Sequence, residues 1–161
     1  MKEVKRLQQE MLNSPGWTKR KSVEIAVFAA EACLERNGDA HNPVDEQMRQ
    51  TINAAKNWLA TGETRFLKRE AARALVAEDT LDAQENHFPL RSARFAVETA
   101  KAKSEKKAAR KAAKTIYADA MSVGWERPLY NWSEDRGEIN ETVYKQERRR
   151  QREKIKALGG G

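Results

Sequence analysis

The chain has 161 residues, of which 39% are apolar and 34% charged, and its formal net charge is +7. That length supports one hydrophobic core, and the lean apolar content favours helices, which need a single apolar stripe and leave their other faces to Lys, Arg and Glu. A lone cysteine, Cys33, excludes an internal disulfide and a cysteine-based zinc cluster, and the lack of a long apolar run or an apolar leader predicts a cytoplasmic protein with no membrane span.

Charge is unevenly placed. Residues 1–90 carry 13 Lys and Arg against 14 Asp and Glu, whereas residues 91–161 carry 18 against 10. The surplus belongs to the second part alone, which suits an acidic partner, nucleic acid being the commonest, and equally suits a lysine-rich wet helix face.

Pro and Gly divide the chain into segments rich in Ala, Lys, Arg, Glu and Leu, with no sustained strand-like alternation. A first helix covers about Glu3 to Leu12, with Val4, Leu7, Met11 and Leu12 on one face. Ser14 or Thr18 then caps a second helix reaching about Arg36. Its stretch from Val23 to Leu34 is apolar nearly all round, as at the centre of a domain. Asn42 and Pro43 open a third helix that runs to Thr61 and stops at Gly62. A fourth is predicted over about Glu63 to Gln84, and a fifth, long and alanine-rich, over about Leu90 to Val123. An aromatic loop follows over 125–137, then a basic helix over 138–158. Gly159, Gly160 and Gly161 read as a flexible tail or a scar. The predicted architecture is all-α: a single bundle of five to six helices over 1–124 with an exposed basic C-terminal helix.

Ala26, Val27, Phe28, Ala29, Ala30 and Glu31, followed by Asp45, Arg49, Ile52, Ala54, Ala55, Trp58 and Gly62, resemble the opening helices of a family of alanine-rich helical immunity proteins of bacterial toxin loci and phage genomes. The spacing agrees from Asp45 through Gly62, although Met48 stands where that family has proline and Gln47 where it often has arginine. The resemblance implies a non-enzymatic protein that binds and neutralises a protein partner.

Several residue groups are candidates for sites. Glu31 and Arg49, on successive helices, are the least costly pair of charges to bury together, as a polar site or a register-fixing ion pair. Cys33 has His41 and His87 as conceivable bases but no sign of an activated thiol, so it is read as core. Glu78, Asp79, Asp82, Glu85 and His87 lack the spacing of a metal loop, and neither a metal nor a cofactor is expected. Lys107, Arg110, Lys111 and Lys114, within a run of cations from Lys101, either track phosphates or form the wet face of a helix. Arg148, Arg149, Arg150 and Arg152 crowd a helix too poor in apolar residues to be held by core packing alone, which makes it an exposed tail or a segment ordered by an acidic partner. Trp125, Arg127, Tyr130 and Trp132 gather the residue types of binding hot spots, or of a lid over the bundle end. A protein partner is the leading expectation, nucleic-acid binding by the basic part the alternative, and the oligomeric state is left open.

Overall fold

A computed structural model describes residues 2–37, 43–81, 87–125 and 135–160, and for residues 37, 43, 123–125, 135–144 and 160 the backbone alone. Within them lie helices α1 (Lys2–Asn13), α2 (Lys19–Asn37), α3 (Pro43–Thr61), α4 (Leu67–Asp79), α5 (Phe88–Lys101), α6 (Glu105–Trp125) and α7 (Asp135–Gly160), and among the described residues there is no strand. The fold is an all-α bundle.

Helix α2 sits at its centre, against α3, α5, α6 and α7. Thr18 opens it, accepting the Lys21 N–H on its Oγ1 at 3.3 Å. Val23, Ile25, Ala26, Ala29, Ala30 and Cys33 are sealed from solvent, as its all-round apolar character demands. The turn before it needs Gly16 at φ +69°, and Gly62 at φ +74° ends α3 by donating its N–H to the Trp58 carbonyl at 2.8 Å.

Two segments before α7 depart from the sequence expectation. The fourth helix begins only at Leu67, because Thr61 Oγ1 and a Glu63 carboxylate oxygen take the backbone N–H groups of Glu63 and Arg65 and hold that stretch in turns. The long fifth helix is two. Ala102 is extended at φ −59°, ψ 138°, and Ser104 starts α6 by accepting the Lys107 N–H at 3.1 Å. The chain therefore doubles back, and α5 packs on α6 with Ala93, Ala96 and Ala100 of the one and Ala109, Ala112 and Ala113 of the other all buried.

Helix α7 keeps Arg149, Arg150 and Arg152 in solvent, but it also docks on α2 and α6. The docked face is mostly polar: Glu147, Arg148 and Gln151 are buried, with Ile155 as its buried apolar anchor. Gly159 and Gly160 lie inside this helix rather than in a tail. A Cβ on Gly159 would come within 3.0 Å of the Ser14 Cβ, so a small residue is needed there.

The alanine contacts predict a test of packing. Ala112→Leu should cost about 1–3 kcal/mol in urea unfolding, since overpacked methylenes force backbones apart, whereas Ala72→Leu on the exposed face of α4 should stay within about 0.5 kcal/mol. Equal costs at the two positions would contradict a core set by close helix approach.

Candidate functional site

The α5–α6 corner gathers the cations that the sequence strings out. Lys101 ends α5, and Lys107, Arg110, Lys111 and Lys114 climb the first turns of α6, together lining a cleft of about 470 Å³ with Glu98 as its carboxylate. Glu98 is held by Arg94 at 3.3 Å and Lys111 at 3.2 Å, so the cleft keeps a positive balance. Burial, and after it the nearby charges of Lys111 and Arg110, hold the Lys114 ammonium below the usual lysine range. An anion in the cleft would relieve that repulsion.

Helix α1, whose sequence shows only an amphipathic helix, is flanked by cations on both sides. Val4, Leu7 and Met11 bury its inner face, and Gln8 ties it to α6 by donating Nε2 to the Lys106 carbonyl at 3.1 Å. Between α1 and α6 runs a groove of about 570 Å³ whose cations are Lys5, Lys106, Lys107, Arg110 and Lys114. On the other flank, a groove of about 560 Å³ between α1 and α7 is lined by Arg6, Lys145, Arg148, Arg149, Arg152 and Lys156, with Glu3 and Glu153. Arg148 is buried at the floor of this second groove, ion-paired with Glu3 and hydrogen-bonded through Nη1 to Gln151 at 3.2 Å.

Of the four C-terminal arginines, Arg149 and Arg152 thus face the α1 groove with Arg148 beneath them. Arg150 turns the other way, over the Phe28 ring at 4.8 Å, and pairs with Glu147 at 3.7 Å. Glu31 and Arg49 are not a buried pair: Glu31 is exposed and reaches Lys56 at 3.5 Å, and Arg49 pairs within its own helix with Glu46 at 3.9 Å. Both sit on outer faces, where two charges cost nothing to leave in water. Trp125 closes α6 with its side chain outside the described residues, as are Arg127, Tyr130 and Trp132. Glu78 is engaged by Arg91 at 2.7 Å and Arg94 at 3.2 Å, while Asp82 and Glu85 lie outside the described residues. Among the described residues no three His, Cys, Asp or Glu side chains gather to hold a metal ion, and no helix is long and apolar enough to cross a membrane.

A buried polar network, for which the sequence offers no local sign, fixes α7 and with it one wall of the second groove. Arg36 of α2 reaches Asp119 of α6, and its guanidinium also lies 3.3 Å from Ser122 Oγ and 3.4 Å from Glu147 of α7. Gln151 donates its Nε2 to Asp119 Oδ2 at 2.7 Å and to the Ile116 carbonyl at 3.1 Å. Burial first, then the hydrogen bond with Glu147, push the Asp119 carboxyl up to about 8 despite the Arg36 charge. One guanidinium cannot neutralise two buried carboxylates, so Asp119 retains a proton. Cys33 donates to Ser122 Oγ at 3.2 Å beside this network, and burial, aided by Asp119, pushes its thiol up to about 12. It stays a protonated core group.

The network predicts a pH dependence of stability. The folded state holds a proton on Asp119 that the unfolded chain releases above its ordinary value of 3.8, so stability present below that value is lost as pH rises through about 8. The urea midpoint should fall from pH 6 to pH 9, and Asp119→Asn, which cannot ionise, should flatten the fall. An equal decline in the variant would contradict the assignment.

No family model, curated protein or solved structure matches this chain, so the resemblance to immunity proteins rests on the residues that carry it and the candidate site rests on its own geometry.

Proposed function

We propose that the chain is a non-enzymatic binding protein whose partner is nucleic acid, held through its phosphates by the basic surface that runs from the α5–α6 corner across α1 to the outer face of α7. The observation that carries this reading is the grouping itself: two neighbouring basic grooves share α1 as their common wall, and cations from three separate helices converge on them. A wet helix face scatters its lysines outward and has no reason to line grooves with them. Groove walls with a surplus of positive charge focus their field on an incoming chain of regular negative charge.

The described aromatic rings on the surface favour phosphates over stacked bases as the main contact. Phe28 lies under Arg150 and Lys154, Phe66 under Arg65 and Arg69, and Phe95 under Arg94, Lys111 and Lys114. Rings so clad are less open to a stacking base.

Fluorescence anisotropy with a labelled oligonucleotide tests the proposal. Affinity should fall steeply with salt, and changing Lys107, Arg110, Lys111 and Lys114 together to Ala should lower the slope by about one unit for each phosphate left unneutralised. Absence of nucleic-acid binding at low salt, or binding indifferent to salt and to these four residues, would overturn it. The role that the immunity-protein resemblance implies, neutralisation of a protein partner, would then take precedence.

A further inference from the structure

Helix α1 is a ridge between two basic grooves, and its crest has a composition of its own. Val4, Leu7 and Met11 point into the bundle. Opposite them, Lys2, Arg6, Gln9 and Asn13 recur at steps of four, three and four residues, and all four are exposed. That spacing puts them on one line along the helix. Lys5 and Gln8 form the shoulder towards α6, and Glu3 with Arg6 the shoulder towards α7. The carboxylates of α1 stay off the crest: Glu3 is engaged by Arg6 at 2.9 Å and by Arg148, and Glu10 lies 4.0 Å from Arg6. The crest therefore offers only cations and carboxamides, with Gln9 Nε2 hydrogen-bonded to Asn13 Oδ1 at 2.9 Å.

We infer that α1 is the element that enters the major groove of double-stranded DNA, with Gln9 and Asn13 meeting base edges while the cation rows of α6 and α7 meet the phosphates of the two strands on either side. This rests on the nucleic-acid reading above and specifies the ligand, the groove and the reading residues. The dimensions agree. A helix with its side chains is about 10–12 Å across, and α1 with its 12 residues is about 18 Å long. The major groove of B-DNA is about 12 Å wide and admits one helix. A cation row on each flank is what a helix seated between two phosphate backbones requires. Gln and Asn are the side chains that match the adenine N6 and N7 edge, so the crest also carries the means to prefer one sequence over another. Duplex RNA fits poorly, because its major groove is too deep and narrow for side chains to read.

The test uses the full chain, a duplex DNA library with a randomised centre, and dimethyl sulfate, which methylates guanine N7 in the major groove and adenine N3 in the minor groove. The wild-type chain should enrich a sequence, protect guanine N7 several-fold within it and leave adenine N3 reactive. The double variant Gln9→Ala, Asn13→Ala changes two exposed neutral residues and should remain folded by circular dichroism. It should lose about tenfold or more of the preference for the selected sequence while keeping the salt slope of the wild type, since no cation is removed. Protection of adenine N3 in place of guanine N7, no enriched sequence, or an unchanged preference in the double variant would overturn the inference and leave phosphate binding intact. Failure of both duplexes and single strands to bind would overturn the inference and the proposed function together, whereas tight binding of single strands alone would overturn the inference only.

Discussion

Alanine is the commonest buried residue of the mutually packed helices α2, α5 and α6: Ala29 and Ala30 on α2, Ala93 and Ala96 on α5, Ala109, Ala112 and Ala113 on α6. A methyl group at each contact lets the backbones approach closely and leaves no room for a deep layer of large side chains. The remaining bulk is supplied by Leu7, Met11, Ile25, Met48, Leu90 and Ile116. This thin core explains how a chain with one charged residue in three still folds. It also fixes where the charges go, because helices joined by narrow stripes turn most of their circumference to water.

The same constraint makes the outer helices depend on polar contacts. Helix α7 has Ile155 and the half-buried Leu158 as its described apolar contacts, and the rest of its docking runs through Arg36, Asp119, Glu147, Arg148 and Gln151. Buried charges of this kind cost much of what they return in stability, and their value lies in register. Here the register sets one wall of the groove beside α1, because Arg148 joins Gln151 of α7 to Glu3 of α1. Of the acidic residues near the basic surface, Glu3, Glu98 and Glu147 are thus engaged by cations of the protein itself.

The helices are legible from the sequence wherever punctuation is local. Pro43 and Gly62 bracket α3, and the all-round apolar run of α2 marks the centre of the bundle. The α5–α6 corner is not legible, because alanine continues the helical pattern on both sides of it and the signal for the break is one capping residue, Ser104. Pairing Glu31 with Arg49 assumes that a charge in an apolar helix must be buried, whereas Glu31 occupies the one exposed position of that stretch. Asp119, Gln151 and Arg148 do not stand out as a group because their partners are far apart in the chain, and spacing within one helix carries no trace of them. The cation clusters are legible as charge. Their arrangement into grooves beside α1 is not, since it depends on the chain doubling back at Ser104 and on α7 lying beside a helix more than 120 residues away in sequence.

Backbone amide chemical shifts followed during titration with a short B-form duplex test most directly whether this surface is the working one. The perturbed amides should lie on α1, on the first half of α6 from Glu105 to Lys114, and on the outer face of α7 from Lys145 to Lys156, with α3 and α4 unchanged. Perturbations centred on α3 and α4, or none at all at saturating duplex, would contradict it.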